Sequence, residues 1–121
     1  MKTQESAENY LETILLLSEK QRRVRSVDVA RELDFTRPSV SISMKKLREN
    51  GDIEIDDKGF ITLTPRGRAR AEGVYERHRV IAGALERLGV SRETALFDAC
   101  RIEHVISAET FERIKAYMEK E

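Results

Sequence analysis

The chain has 121 residues, of which 40% are apolar and 36% are charged. That length supports one continuous core, or two small lobes that share a helix, but no larger architecture. No apolar run approaches the roughly 20 residues of a membrane-spanning helix, and the first residues lead into a patterned helix rather than a signal peptide. The single cysteine, Cys100, excludes an internal disulfide bond and fits a reducing compartment. Together with the missing membrane-spanning run and signal peptide, this leads us to expect a cytoplasmic protein without a membrane partner.

The charges are distributed unevenly, although the formal net charge at pH 7 is zero. Between residues 20 and 48 there are nine lysines and arginines but only three acids. A polyanion would be attracted to that basic segment, whereas the acidic remainder suits solubility or cation binding. The distribution therefore favours nucleic-acid binding, which the net charge alone does not.

The first three predicted elements are helices. The spacing of apolar residues between 7 and 17 predicts a helix of about 14 residues with Ser6 as its N-cap. Ser26 is predicted to cap a short second helix, which ends in a tight turn at 34–35. Thr36 is predicted to cap a third helix that has a proline in its first turn.

A hairpin and a long helix are predicted next. An Asn-Gly pair at 50–51 ends the third helix, and two short strands follow at 53–55 and 60–63. The turn between them contains a glycine suited to a positive φ. Three helices followed by a hairpin is the order of a winged helix-turn-helix domain. A Thr-Pro pair at 64–65 then opens a long helix that stops at Gly89.

The C-terminal part is predicted to be entirely helical. Ser91 and Ser107 are predicted to cap two further helices, and the first of these runs through Cys100 and Glu103. We therefore predict a mainly α-helical (α+β) fold, in which a winged helix-turn-helix precedes an all-helical domain.

The third helix has the features of a DNA-reading helix. If Val40, Met44 and Leu47 face the core, a hydroxyl-rich and basic face turns outward. On that face Arg37 could read a guanine or bind a phosphate, and Ile42 could contact a thymine methyl group. The predicted DNA-contacting residues are Ser26, Thr36, Arg37, Pro38, Ser39, Ser41, Ile42, Lys45, Lys46 and Lys58.

The predicted wing is a weaker candidate for DNA contact. A hairpin that touches phosphate would prefer lysine or arginine at the positions of Glu54, Asp56 and Asp57. Lys58 is the only basic residue of the predicted wing. The alternative is that the basic surfaces are ordinary solvated faces, since a basic surface is common. The order of short helix, tight turn, hydroxyl-rich helix start and hairpin favours DNA binding.

A second group of residues, in the C-terminal part of the chain, suggests a metal site. Cys100, Glu103 and His104 occupy positions i, i+3 and i+4, so one helical face would present a thiolate, a carboxylate and an imidazole. Those ligands suit Fe(II), Co(II), Ni(II) or Zn(II) better than Mg(II) or Ca(II). The alternative is a buried cysteine beside a surface Glu-His pair.

Three further residues could supply ligands from other helices. Asn9 and Glu12 share a face of the first helix, and His78 lies midway along the long helix. The alternative, if each residue is considered singly, is that Asn9 is a polar residue of the first helical turn, Glu12 a solvated acid and His78 a core histidine. Together they offer oxygen and nitrogen ligands from two more helices, as a clamp between lobes would require.

At these residues the sequence resembles the diphtheria toxin repressor and manganese transport regulator family of metal-activated repressors. The stretches 98–105, 7–12 and 77–79 are similar to the metal-binding helix, the first helix and the long helix of that family, and 36–41 is similar to the start of its recognition helix. The resemblance covers essentially the whole chain. It implies Fe(II) or Mn(II) as cofactor, with Co(II), Ni(II) or Zn(II) as surrogates.

The chain also departs from the family pattern. Cys100 resembles the iron-responsive branch, whereas Glu12 resembles the manganese branch. Asn9 stands where the first branch has methionine and the second has aspartate, and Ala82 and Leu96 replace ligands of the iron branch's ancillary site. The SH3-like domain of many iron-branch members has no counterpart in these 121 residues, so the resemblance is to a short form.

The resemblance implies a homodimer formed through the C-terminal helices. Apolar residues available for that contact are Val105, Ile106, Phe111, Ile114 and Met118. A two-fold dimer would place two recognition helices in successive major grooves, roughly 34 Å apart, on a near-palindromic operator. The domain prediction is a DNA-binding domain at 1–72 and a metal-binding and dimerisation domain at 73–121.

We therefore predict a metal-dependent DNA-binding transcriptional repressor of metal homeostasis genes, which is not an enzyme and has no small organic substrate. The first alternative is a winged-helix regulator that binds no metal, in which Cys100 and His78 are core residues. The second is a metalloenzyme such as a small hydrolase, which is disfavoured because no nucleophile or general base stands apart from the ligands.

Overall fold

The computed structural model describes residues 3–120 and confirms the mainly helical fold with a small hairpin. The described elements are α1 (Thr3–Lys20), α2 (Ser26–Leu33), α3 (Arg37–Glu49), β1 (Ile53–Ile55), β2 (Ile61–Leu63), α4 (Pro65–Arg87), α5 (Arg92–Ile102) and α6 (Ala108–Glu119). Within residues 3–120, no helix combines the length and the apolar character that crossing a membrane requires.

The chain divides into two compact units, and the boundary lies within α4. The first unit ends at Glu72 and the second begins at Gly73. In the first unit α2 packs against both α1 and α3, and the hairpin packs against α1 and α3. Its buried apolar residues include Leu11, Ile14, Val24, Val29, Val40, Met44, Leu47, Ile53 and Ile61.

The turn between α2 and α3 forms as predicted. Asp34 adopts a left-handed conformation (φ 58°), and its N–H donates to the carbonyl of Ala30. The hydroxyl oxygen of Thr36 accepts a hydrogen bond from the N–H of Ser39 at 3.4 Å, so Thr36 is the N-cap of α3. These contacts set the angle at which α3 leaves the turn.

The two predicted caps nearer the N-terminus are wrong. Ser6 lies inside α1, which begins at Thr3 and has 18 residues. Ser26 is the first residue of α2 rather than its cap, because Arg25 occupies the N-cap position and donates its N–H to Asp28 at 2.9 Å. Arg25 is held in an extended conformation beside Val24, which forms a bridge with Ile61 of β2.

The hairpin is antiparallel, with Ile53 opposite Leu63 and Ile55 opposite Ile61. The second strand begins at Ile61 rather than at Phe60 as predicted. The N–H of Phe60 instead donates to the carboxylate of Asp56 at 2.9 Å, as does the N–H of Lys58. Phe60 therefore belongs to the turn of the wing.

The carboxylate of Asp56 should make this turn sensitive to acid. The hydrogen bond from the Phe60 N–H holds the pKa of Asp56 below its ordinary value of 3.8. A lowered pKa in the folded state means that the carboxylate stabilises the turn above pH 3.8 and that this contribution is lost as pH falls through the lowered value. Hydrogen exchange of the Phe60 amide should accelerate there, beyond its intrinsic pH dependence. The Asp56→Asn variant should show no such transition, and a transition retained in that variant would exclude Asp56 as its cause.

A buried aspartate joins the end of α3 to the start of α4 within the first unit. Asp52 is 0% exposed, and its carboxylate lies 2.7 Å from Nη1 of Arg70 and 3.3 Å from Nε of Arg66. Its carbonyl accepts the N–H of Thr64 at 3.1 Å. A buried charge must be paired, so these contacts fix the first turns of α4 against the residue that precedes the hairpin. Thr64 also accepts the N–H of Gly67, which confirms the predicted cap.

The second unit has its own core, formed by α4, α5 and α6. Ile81, Ala82, Ala99 and Phe111 are its buried members. Phe111 was predicted to be available for dimer contact, and that prediction is wrong because the residue is 6% exposed and packs inside this core. The predicted caps are confirmed, since Ser91 accepts the N–H of Thr94 and Ser107 accepts the N–H of Thr110.

Candidate metal centre and nucleic-acid interface

A buried carboxylate lies between two histidines in the second unit. Glu103 is 1% exposed, and its Oε1 lies 3.0 Å from Nδ1 of His78. Its Oε2 lies 3.2 Å from Nε2 of His104. His78 comes from the middle of α4, whereas Glu103 and His104 follow α5, so 25 residues of chain separate the first histidine from the carboxylate.

The backbone around Glu103 is also held in place. Nε of Arg77 donates to the carbonyl of Glu103 at 2.9 Å, and the N–H of Glu103 donates to the carbonyl of Ala99 at 3.0 Å. Arg77 and His78 are consecutive residues of α4, so one holds the backbone of Glu103 while the other meets its side chain. The carboxylate is thereby oriented by contacts at both ends of the residue.

α5 ends one residue before Glu103, and this changes the predicted arrangement of its ligands. The helix was predicted to continue through Glu103, but it stops at Ile102 and Glu103 is its C-cap. His104 follows in a turn, with its N–H 3.4 Å from the carbonyl of Arg101. Cys100 is exposed, whereas Glu103 is buried. The alternative of a buried cysteine beside a surface Glu-His pair is therefore wrong.

The structure brings His78, Glu103 and His104 together, and Cys100 lies one turn earlier on the exposed side of α5. The other two predicted ligands, Asn9 and Glu12, lie on α1 in the first unit. They are three residues apart and so share one face of that helix.

The chemistry of this cluster fits a divalent transition metal. Imidazole nitrogens and carboxylate oxygens are ligands for Mn(II), Fe(II), Co(II), Ni(II) and Zn(II). The side chain of His104 is only 3% exposed and that of Glu103 is fully buried, so an ion there would meet few competing water molecules. Burial of a carboxylate is costly unless positive charge or hydrogen bonds compensate it, which a cation would do.

The predicted DNA-contacting residues of α3 lie on its solvent side. Val40, Met44 and Leu47 are buried, as predicted. The exposed residues on and before this helix are Thr36, Arg37, Pro38, Ser39, Ser41, Ile42, Lys45 and Lys46, and Lys58 is exposed at the tip of the wing. Ser26, at the start of α2, is half-buried.

Two arginines beside the wing were not among the predicted contacts. The guanidinium carbons of Arg23 and Arg25 lie 4.8 Å and 4.5 Å from the centre of the Phe60 ring. The bridge between Val24 and Ile61 brings their segment alongside β2. The wing therefore has more positive charge near it than its own residues supply. The sequence signal was a basic run with one apolar residue, Val24, in its middle.

Two family models match the chain in succession. Residues 2–59 match the N-terminal DNA-binding domain of iron-dependent repressors, and residues 64–120 match the metal-binding and dimerisation domain of the same repressors. Together they account for almost the whole sequence.

Curated relatives and solved structures agree with the two family models. An HTH-type transcriptional regulator of Methanocaldococcus jannaschii is 36% identical over 118 residues, which cover 96% of this chain and 94% of that protein. The transcriptional regulator MntR of Escherichia coli is 34% identical over 116 residues, covering 96% of this chain and 75% of that protein. A manganese-dependent transcriptional repressor in complex with manganese superposes with a TM-score of 0.86 at 30% identity, over 93% of this chain and 52% of that one. This chain thus spans about half the length of that solved structure. With both domain models matched and relatives this similar along nearly its whole length, the chain belongs to the iron-dependent repressor family.

Proposed function

We propose that this protein is a metal-dependent transcriptional repressor that binds a palindromic operator as a homodimer in the cytoplasm, with Fe(II) or Mn(II) as its activating ion. The observation that carries the proposal is the buried Glu103 carboxylate between His78 and His104, in the part of the chain that matches the family's metal-binding domain. The family is one of transcriptional repressors rather than enzymes. The similarity to a repressor solved with manganese supports Mn(II) as one candidate.

We assign DNA binding to residues 1–72, and metal binding and dimerisation to residues 73–121. The proposed DNA contacts are those predicted from the sequence, with Arg23 and Arg25 added. Exposed apolar side chains of the second unit, among them Phe97, Val105 and Tyr117, are available to form the dimer contact. A two-fold pair of DNA-binding domains accounts for a palindromic site.

The proposed ligands are Asn9, Glu12, His78, Cys100, Glu103 and His104. A divalent cation supplies a charge that oxygen ligands of α1 and ligands of the second unit can share. In this proposal the side chains of α1 restrict the orientation of the DNA-binding domain relative to the dimer. Metal binding and operator binding then strengthen each other equally, by about 1 to 3 kcal/mol.

The proposal is tested by measuring operator affinity with and without metal. The operator is selected from random double-stranded DNA on immobilised protein in the presence of Mn(II), and fluorescence anisotropy then gives affinities under anaerobic conditions in chelator, Mn(II) and Fe(II). We expect an increase of roughly 5- to 150-fold when either ion is added. Equal affinity in chelator and in both metals would favour the metal-independent winged-helix regulator instead.

Salt dependence tests the added contacts beside the wing. If Arg25 contacts a DNA phosphate, the slope of log affinity against log salt should decrease by about one in the Arg25→Ala variant, because one fewer counterion is released. The control is Arg68→Ala, since Arg68 lies on α4 and pairs with Glu72 at 3.7 Å. A slope that Arg25→Ala leaves unchanged would remove this residue from the interface.

A further inference from the structure

α3 carries an exposed apolar ridge on the side opposite its buried face. Val40 and Met44 are buried, and Ile42 lies two residues from each, which corresponds to roughly 200° of rotation around a helix. The Ile42 side chain is 60% exposed. Pro38, one turn earlier on the same side, is also exposed. Pro38 and Ile42 together form this ridge.

Polar and basic side chains surround the ridge. Ser39 precedes Ile42 by three residues, and Lys45 and Lys46 follow it by three and four, so all three are its neighbours on the helix surface. No acid occurs in α3 before Glu49. A β-branched residue is a weaker helix former than lysine, arginine or alanine. Solvation and helix stability therefore do not account for an isoleucine at this position.

The basic residues around Ile42 indicate which kind of partner would contact it. Four basic residues of α3 attract a polyanion, and the only apolar group that DNA presents in the major groove is the 5-methyl group of thymine. An interface with another protein would need a wider apolar centre than these two residues offer. An exposed isoleucine surrounded by basic side chains therefore matches the methyl-bearing edge of a thymine.

We propose that Ile42 determines specificity for a thymine in each operator half-site by packing against its 5-methyl group. This inference rests on the proposed function, because α3 must enter the major groove of an operator. The contact would act through burial of one methyl group, so it discriminates thymine from bases that lack that group without any hydrogen bond from Ile42.

Deoxyuridine provides the test, because it keeps the hydrogen-bonding groups of thymidine and lacks only the methyl group. Each thymine of the selected operator is replaced in turn, in both half-sites, and affinity is measured in Mn(II). We expect one position at which uracil weakens binding by the wild-type protein roughly fourfold per half-site. The Ile42→Ala variant should bind the thymine and uracil operators equally at that position. The control variant Lys46→Ala should bind both more weakly and keep the wild-type ratio.

The outcomes separate this inference from the proposed function. The inference is overturned if no uracil substitution weakens wild-type binding, if the selected half-site contains no thymine, or if Ile42→Ala discriminates as well as the wild type does. In those cases metal-dependent binding of the unsubstituted operator would leave the proposed function standing. Failure of the wild-type protein to bind any DNA specifically, at every metal concentration, would overturn both.

Discussion

Replacement of Glu103 by glutamine should reduce operator affinity in Mn(II) to the value measured in chelator, a loss of roughly 5- to 150-fold. The amide keeps the size of the side chain but removes the negative charge that lies between His78 and His104. Because an amide is a much poorer ligand than a carboxylate for a transition metal, the metal-dependent part of DNA binding should disappear. Affinity in chelator should be unchanged, since the proposed DNA-contacting residues are untouched.

The matched control for this experiment is Glu109→Gln. Glu109 is an exposed acid in the first turn of α6, so its replacement changes the net charge of the same unit by the same amount. Circular dichroism of both variants checks that the helices remain folded. Tight operator binding by Glu103→Gln in Mn(II), equal to that of the wild type, would show that this carboxylate is not a ligand, and binding lost in both variants would point to a general charge effect.

Gly67→Ala should destabilise the protein by about 3 kcal/mol. A Cβ atom at this position would overlap the carbonyl oxygen of Asp52 and would lie 2.8 Å from its carbonyl carbon. Both atoms belong to the backbone, so no change of side-chain rotamer relieves the overlap. Asp52 cannot move readily, because its N–H donates to the carbonyl of Leu47 and its carboxylate pairs with Arg70.

The Gly73→Ala variant, in the same helix, should instead stabilise the protein. Among the described residues, no atom beyond its two chain neighbours and the nearby backbone of α4 lies within 4 Å of a Cβ at Gly73, and its φ is not positive. Alanine is the better helix former, so this variant should be more stable than the wild type by about 0.5 to 1 kcal/mol. Urea unfolding followed by circular dichroism measures both changes. A Gly67→Ala variant that unfolds at the wild-type urea concentration would show that the α4 backbone relaxes away from Asp52.

Structure that depends on near neighbours could be predicted from the sequence. The caps at Thr36, Ser91 and Ser107 each involve a hydroxyl oxygen and an N–H three residues later, so the residue types are informative by themselves. The buried face of α3 followed equally well from its helical spacing.

The predictions failed where a distant contact intervened. Ser26 does not cap α2, because the bridge between Val24 and Ile61 makes Arg25 the last extended residue before the helix. Phe111 was predicted to be available for dimer contact but is buried, since α4 and α5 supply Ile81 and Ala99 as its neighbours. Arg23 and Arg25 were counted among the basic residues, but nothing in the chain order placed them beside Phe60.

In the candidate metal centre, too, residue identity could be predicted from the sequence and geometry could not. The residue types and the family resemblance were sufficient to select His78, Glu103 and His104 as candidate ligands, because few side chains bind transition metals. Their arrangement depended on packing, since α5 ends at Ile102 and His78 approaches Glu103 from 25 residues away. A carboxylate is stable in the interior only when compensating groups converge on it, and that convergence arises from the packing of α4 against α5.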